Sequence, residues 1–318
     1  MKERTQHPWI CRLTIVALGG LLPSLVNATE NLPRIPFAES ARLPEANQFV
    51  VTPWYNYSVF RKLWIGPTKT SIEILPKDDF ELNDGMLRLD YGLSRRFALD
   101  LTVGYTSAAT RSWSPQAEPQ TTQGLMDTQV GVRYRLLDEC EGDAWYKPTL
   151  TLRLGGIIQG SYDADFPMAP GDGASGFEAA VLVAKTIKPC GGGFYCDFGY
   201  RLRDNHVPQT IFGAAGLSQT IQIHWFITSL SVYAGYRGLY DLNGPDLTGS
   251  QVAGVPHDYI NLGYSRTAQE IYQMGELGLG MTDKGGRRYF FSCAHPFDGR
   301  NTGKVNNFVI GLSWPINF

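Results

Sequence analysis

The last twelve residues of the chain alternate strictly between large apolar side chains and side chains that are mostly small or polar. The large side chains are Phe308, Ile310, Leu312, Trp314, Ile316 and Phe318. The residues between them include Asn307, Gly311 and Ser313. A period of two places every large side chain on one face of a β-strand. The sequence therefore predicts a C-terminal strand with one apolar face.

The same alternation recurs along the chain, and charged residues occupy the face opposite the apolar one. Arg153, for example, lies between Leu152 and Leu154. A charge at the lipid midplane of a transmembrane strand costs ~2–4 kcal/mol, so these charges must face a lumen. The lumen-lining candidates are Arg88, Asp90, Asp100, Asp127, Arg133, Arg135, Arg153, Glu178, Asp197, Arg201, Arg203, Arg237 and Glu276. Arginines slightly outnumber acidic residues in this set, which predicts a mixed lumen that leans basic.

The alternating segments predict an all-β, antiparallel transmembrane β-barrel of about twelve strands. The strands are placed near 48–60, 81–93, 96–107, 124–137, 145–160, 175–187, 193–204, 210–225, 229–241, 269–281, 287–295 and 305–318. Short connections alternate with mostly long ones, as in outer-membrane barrels with short periplasmic turns and long extracellular loops. The segments 70–74 and 257–264 are each either an extra strand or a hairpin within a loop. Ten or fourteen strands therefore remain alternatives.

The N-terminal residues predict export. Lys2, Arg4 and Arg12 precede an apolar run at 13–22, and a cleavage site with small residues follows at 26–28. This is the arrangement of a cleaved signal peptide. The alternative, a membrane anchor, is disfavoured because the run has only about half of the roughly 20 residues that span a bilayer. The predicted organisation is a signal peptide at 1–28, an irregular periplasmic arm at 29–47 and a barrel at 48–318.

Composition narrows the classes of partner. Charged residues make up 18% of the chain and the formal net charge is −2, which gives no indication of nucleic-acid binding. No stretch after the leader has the ~18 consecutive apolar residues of a transmembrane helix, so a membrane protein of this sequence crosses lipid with strands. The expected partners are outer-membrane lipid and a small-molecule solute. The oligomeric state stays open.

Four cysteines remain once the leader has been removed. Export to an oxidising compartment permits disulfides. Cys190 and Cys196 bracket a run of three glycines, so a short hairpin makes them a candidate disulfide. The alternative is a set of small buried or lipid-facing thiols.

An outer-membrane lipase or deacylase is the enzymatic alternative. Such an enzyme needs a nucleophile within hydrogen-bond reach of a histidine that a third group orients. Ser292 and His295 are separated by an odd number of positions, so they face opposite sides of one strand. The histidines show no spacing typical of metal ligands. The sequence therefore predicts a protein that is not an enzyme, with no catalytic residues, no metal and no cofactor.

Residues 124–137 read Gly-Leu-Met-Asp-Thr-Gln-Val-Gly-Val-Arg-Tyr-Arg-Leu-Leu. This segment resembles the Gly-Leu-Gly-Asp strand opening of the outer-membrane family named for the MetA pathway of phenol degradation, with Met126 at the second glycine. The similar segments continue at 149–160, 173–177, 183–185 and 198–201, and the terminal strand is also similar.

The resemblance implies an exported barrel associated with the passage of small, often aromatic or apolar, compounds across the outer membrane. It also implies that the bacterial barrel-assembly machinery recognises the terminal strand. The assembly signal would then consist of Trp314, Ile316 and Phe318.

The sequence thus favours a porin-like, passive conduit for small aromatic or carboxylated compounds. Arg133 and Arg153 lie at mid-strand and are the expected markers of a water-filled lumen. The alternative is a plugged structural or adhesin-like barrel, because side chains can fill a narrow barrel. In that case arginines would pair with acidic residues on neighbouring strands, for example Arg133 with Asp100.

Deletion of Phe318 is expected to lower the fraction of protein that folds into the outer membrane, because the deletion removes the terminal aromatic residue of the assembly signal. Removal of the signal peptide should be unchanged. Heat-modifiable migration in electrophoresis measures the folded fraction, and Phe318→Tyr, which keeps an aromatic end, is the matched control. Equal folded fractions in the deletion and the control would contradict this role for Phe318.

Overall fold

The computed structural model describes residues 41–60, 62–66, 70–73, 80–110, 120–141, 146–162, 171–187, 191–223, 227–246 and 267–317. Within these ranges the first eight strands are β1 (Gln48–Phe60), β2 (Lys62–Ile65), β3 (Thr70–Glu73), β4 (Phe80–Gly92), β5 (Phe97–Thr110), β6 (Gln120–Leu125), β7 (Thr128–Leu137) and β8 (Thr149–Ile158). The next eight are β9 (Gly176–Ile187), β10 (Gly192–Arg203), β11 (Thr210–Gln222), β12 (Ile227–Asp241), β13 (Ile271–Asp283), β14 (Arg288–Arg300), β15 (Thr302–Gly303) and β16 (Asn306–Asn317). In the described part of the chain, no helix is long and apolar enough to cross a membrane.

The large sheet closes into a barrel of twelve antiparallel strands. β1 pairs with β16 on one side and with β4 on the other, so the first and last strands of the barrel are joined. β6 and β7 together form one barrel strand, because they pair with successive segments of β5. The predicted fold class, an all-β antiparallel barrel of twelve strands, is confirmed.

A second sheet contains three short strands, in the order β15, β2 and β3. It accounts for the segment at 70–74, one of the two segments that left the strand count open. β3 pairs with β2, and β2 pairs with β15, so 70–73 forms part of a hairpin within a loop and does not add a barrel strand. The other segment, 257–264, lies outside the described residues.

The predicted strand at 124–137 is interrupted at Met126 and Asp127. The Asp127 carboxylate accepts hydrogen bonds from the Gly160 backbone N–H at 3.0 Å and from the Tyr162 hydroxyl at 2.7 Å. These bonds tie the interrupted point to the loop after β8, which alternation alone does not indicate.

The two faces of the barrel follow the predicted alternation. On β16, Phe308, Ile310 and Trp314 are exposed on the outer face, while Val309 and Ser313 are buried on the inner face. The exposed large side chains form the apolar surface that lipid covers in barrels of this kind. Phe318 lies outside the described residues.

The Cys196 thiol is free and projects from the outward face of β10, between Val183 and Ala215 on the neighbouring strands. The candidate Cys190–Cys196 disulfide is therefore not formed in the structure. Tyr195 and Asp197 belong to the inward-facing set of β10, so Cys196 between them faces lipid. Cys190 itself lies outside the described residues.

The connections distinguish the two ends of the barrel. The short-turn end carries the connections 93–96, 138–148, 188–191, 223–226 and 284–287, together with the start of β1 and the end of β16. The long-loop end carries 61–79, 111–119, 159–175, 204–209, 242–270 and 301–305. In outer-membrane barrels the short turns face the periplasm and the longer loops face outward.

Two tyrosines fill one side of the lumen by lying over glycines of neighbouring strands. Tyr233 on β12 is 1% exposed, and its ring lies against Gly278 on β13. Its hydroxyl is 3.1 Å from Glu276 Oε1. Tyr195 on β10 lies in the same way over Gly216 and packs with Tyr233. Glycine is required at these positions because a Cβ would overlap the tyrosine rings.

Gly278→Ala is expected to destabilise the folded barrel by about 1–3 kcal/mol, the usual cost of overpacking, because its Cβ would overlap the Tyr233 ring. Gly275→Ala on the same strand is the matched control, since nothing lies within 4 Å of the added Cβ. Urea-dependent loss of β-structure in detergent measures the difference. If both variants unfold at the same urea concentration, the Tyr233–Gly278 contact does not stabilise the barrel.

Candidate functional site

A continuous set of ion pairs follows the inner wall from β4 to β10. We call it the arginine ladder, and its members are Arg88, Asp90, Asp100, Arg133, Arg153, Glu178 and Arg201. Asp100 Oδ1 lies 2.7 Å from Arg153 Nη2, and Asp100 Oδ2 lies 3.3 Å from Arg133 Nε. Glu178 pairs with Arg153 and, at 3.0 Å, with Arg201.

Strand register brings the ladder together. Asp90 on β4 lies directly opposite Asp100 on β5, and Arg133 on β7 lies opposite Arg153 on β8. Like charges in directly opposite positions repel. Here the two arginines neutralise the two aspartates through ion pairs between neighbouring strands. Gly131, opposite Asp100, leaves the necessary room, because a Cβ there would come within 2.8 Å of both Asp100 carboxylate oxygens.

That Arg133 and Arg153 mark a water-filled lumen stays a prediction. Their side chains are inward, but only 2% exposed, and both are engaged by carboxylates. The guanidinium groups therefore balance Asp90, Asp100 and Glu178, and Arg153 also lines the lumen cavity. Alternation predicts the face on which a charge lies. The Arg133–Asp100 pair that the sequence suggested for a plugged barrel is present, whereas the pairing of Arg153 with Asp100 and Glu178 depends on strand register.

The remaining inward candidates lie outside the ladder. Asp197 accepts a hydrogen bond from the Ala214 backbone N–H at 2.6 Å, and Glu276 lies beside the Tyr233 hydroxyl. Arg135 pairs with Asp138 at the short-turn end. The other three candidates, Asp127, Arg203 and Arg237, lie towards the long-loop end.

Residues 45–47 enter the barrel at the short-turn end. The Asn47 backbone N–H donates to the Gly92 carbonyl oxygen at 2.7 Å. Gly92 permits this close approach, because a Cβ there would overlap the backbone carbonyl of Glu45. The chain therefore turns inward immediately before β1.

The preceding residues continue across the mouth to the far wall. Ala41 is 2% exposed and packs against Leu182, which faces inward on β9. The Thr151 hydroxyl donates to the Ala41 carbonyl oxygen. Arg42 forms an ion pair with Glu139 in the turn between β7 and β8. The described part of the N-terminal arm thus occupies the short-turn mouth of the lumen.

A cavity of about 290 Å³ lies in the lumen, lined by residues from β1 round to β14. Arg201 lies over the Phe212 ring, with Cζ 4.9 Å from the ring centroid. Arg237 lies over the Tyr272 ring at 5.8 Å. The lining also includes Trp54, Met86, Met126, Leu239 and Phe290. The cavity therefore combines guanidinium groups with aromatic and thioether surface.

A second polar cluster closes the wall at the long-loop end. Arg203 Nη1 lies 2.9 Å from Asp127 Oδ2 and 2.7 Å from Asp172 Oδ2. The Tyr162 hydroxyl donates to Asp127 and accepts from the Gly173 backbone N–H at 2.8 Å. Burial and the Asp127 carboxylate raise the pKa of Tyr162 above its ordinary value. The cluster fixes the chain after β8 against β10.

Glu270 lies at the same end, immediately before β13. Its carboxyl group accepts a hydrogen bond from the Thr302 hydroxyl, and its backbone N–H donates to Asp241 at 2.9 Å. Burial raises the pKa of Glu270 to about 8. This shift favours the neutral form of the Glu270 carboxyl group.

Sequence reasoning missed the aromatic part of the cavity. Trp54 alternates with outward residues in the same way as Thr52 and Asn56, so the sequence already indicates that it faces inward. Phe212 and Tyr272 face the same cavity from β11 and β13. The alternation pattern predicts that large apolar residues face lipid. These three face the lumen instead, because the lumen has room for their rings.

No family model and no curated protein matches the chain. Among solved structures, the chain is similar to the COG4313 outer membrane channel from Pseudomonas putida F1, with a TM-score of 0.62 and 12% identity over 87% of this chain and 98% of that chain. The β domain of the Bordetella autotransporter BrkA follows with a TM-score of 0.47, 14% identity, and coverage of 84% of this chain and 100% of that chain. The KdgM porin has a TM-score of 0.38 and 9% identity, with coverage of 83% of this chain and 98% of that chain.

The first likeness shows a shared fold at low identity, and the other two are too distant to support an argument. The chain therefore has the fold of an outer-membrane channel barrel. Membership of the family named for the MetA pathway is not confirmed.

Asp100→Asn is expected to destabilise the barrel by roughly 3–5 kcal/mol, because it leaves buried arginines without their shared carboxylate. Glu141→Gln is the matched control. Glu141 pairs with Arg96 at 3.9 Å on the exposed short-turn surface, where a pair contributes at most about 1 kcal/mol. Urea unfolding of the two variants measures the difference, and equal loss would show that the ladder does not stabilise the fold.

Proposed function

We propose that this protein is an outer-membrane conduit for the passive passage of small solutes. The observation that carries the proposal is the cavity of about 290 Å³ among the inward side chains of a closed barrel. Its volume is at the small end of the range of ligand-sized sites, about 300–1,000 Å³. The apolar outer face and the fold it shares with a known channel support a location in the outer membrane.

The lining supports a solute with one anionic and one apolar part, such as a small carboxylated aromatic compound. Arg201 and Arg237 each expose a guanidinium to the cavity, and both lie over aromatic rings. Guanidinium groups bind carboxylates through paired hydrogen bonds. Trp54 and Met86 provide apolar surface nearby. This solute class also agrees with the resemblance to the MetA-pathway family.

The proposed route to the membrane begins with export through the cleaved signal peptide at 1–28. The barrel-assembly machinery would then insert the barrel by way of its terminal strand. The exposed Trp314 on β16 supports this step, because it belongs to the outward apolar row that the signal requires.

The second candidate function is a plugged structural barrel. Two observations favour it: the ladder neutralises most of the inner wall between β4 and β10, and residues 41–47 occupy the short-turn mouth. The two candidates differ in one measurable property, because a conduit passes solutes and a plug does not.

The double variant Arg201→Gln/Arg237→Gln is expected to shift ion selectivity towards cations by several-fold, because two positive charges leave the cavity lining. The reversal potential in planar bilayers under a salt gradient measures the shift. The recordings use the whole mature chain and Arg42→Ala, which removes the ion pair between the N-terminal arm and Glu139.

Arg96→Gln/Arg287→Gln is the matched control, with the same change of charge on exposed side chains at the short-turn end. It should keep the wild-type reversal potential. Absence of conductance in both the wild type and Arg42→Ala would reject the conduit and support the plugged barrel. Equal selectivity in the two double variants would reject the assigned role of Arg201 and Arg237.

A further inference from the structure

A histidine on the lipid-facing surface is held in one orientation by an amide. His295 projects outward from β14 and is exposed. Its Nδ1 lies 2.6 Å from Oδ1 of Asn306, the first residue of β16. Because an amide oxygen only accepts hydrogen bonds, Nδ1 carries the proton and donates it. In the neutral ring, Nε2 then keeps its lone pair, which is the form that acts as a base.

A thiol lies on the same face of the same strand. Cys293 is two positions before His295, so both project outward with Cα atoms about 7 Å apart. The Cys293 thiol is free and partly exposed. Ser292 is fully buried on the inner face and is therefore excluded as a partner of His295. A thiol, an imidazole and an amide in these roles perform acyl transfer on unrelated folds.

Beside these groups the outer surface has open space over Gly275, which we call the notch. Gly275 on β13 is in register with His295 on one side and with Tyr236 on the other. Nothing lies within 4 Å of the position that a Cβ at Gly275 would occupy. The Tyr236 and Phe297 rings, with centroids 6.0 Å apart, and the exposed Leu277 supply apolar surface around it. On a surface that lipid covers, the occupant of such a notch is an acyl chain.

We propose that Cys293, His295 and Asn306 form an acyl-transfer site that accepts the acyl ester of a membrane lipid, with the acyl chain in the notch over Gly275. His295 Nε2 takes the thiol proton as Cys293 Sγ attacks the ester carbonyl carbon. An S–C bond forms, the ester C–O bond breaks, and the leaving alcohol takes the proton from His295. Water, deprotonated by His295, then hydrolyses the thioester, which releases the fatty acid and restores the thiol. Asn306 is a positioning residue, since it acts through His295.

The test uses the folded full-length barrel in detergent micelles with p-nitrophenyl palmitate as the probe. Intact mass before and after hydroxylamine detects a palmitoyl thioester, and absorbance follows p-nitrophenolate. We expect an adduct on Cys293 that is absent in Cys293→Ala. Cys196→Ala is the matched control, because Cys196 is an outward thiol on a different strand, and it should keep the adduct.

Two further variants separate chemistry from folding. His295→Gln should slow acylation at least about 100-fold, the usual contribution of a general base. Asn306→Ala should slow it less, and Asn306→Asp, which keeps an oxygen acceptor for Nδ1, should restore most of the rate. Each variant is first shown to be folded by its heat-modifiable migration.

The notch has its own test. Gly275→Leu should reduce the rate with p-nitrophenyl palmitate and leave the rate with p-nitrophenyl acetate unchanged, because only the long chain needs the notch. The proposal is overturned if folded wild-type protein gives no adduct on Cys293, if Cys196 is acylated equally, or if His295→Gln keeps the wild-type rate. Conductance is measured separately, so failure here leaves the conduit proposal intact.

Discussion

Closure of the sheet is the constraint on which the rest of this structure depends. In lipid each backbone N–H and C=O group needs a partner within the protein, and a barrel provides it by pairing the first strand with the last. Here the pairing of β1 with β16 performs that function over ten residue pairs. Once the sheet is closed, alternation assigns every side chain either to lipid or to a confined lumen. Charged residues in the middle of the strands, such as Asp100, Arg133 and Arg153, are then directed into that lumen.

Confinement explains the character of the inner wall. Arginines and carboxylates on neighbouring strands are buried, so they must neutralise one another, and Asp100 takes part in pairs with several arginines. On the wall next to the ladder, from β10 to β13, tyrosines over glycines fill the space beside Glu276. What remains open is the cavity between these two walls. Its chemistry therefore derives from Arg201 and other ladder members that also line it, together with Arg237 and the aromatic and thioether side chains.

On the lipid-facing surface, a polar side chain costs free energy unless it has a hydrogen-bond partner. The hydrogen bond between His295 and Asn306 is one of the polar contacts on an otherwise apolar row that includes Phe291 and Phe308. The proposed acyl-transfer site and the proposed conduit use opposite faces of the same strands. The two functions are therefore compatible, because β14 contributes Phe290 to the lumen and Cys293 to the outer surface.

The sequence by itself determined the barrel, the approximate position of its strands and the inward direction of residues such as Arg133 and Arg153, because alternation with a period of two is a local property of the backbone. Only the tertiary structure decided which charges meet, since Asp100 and Arg153 belong to different strands and their contact depends on register. It also decided that Ala41 lies inside the mouth, that Trp54 lines a cavity and that Asn306 orients His295. Each of these facts requires two distant segments to be brought together, and a single strand carries no information about its partner.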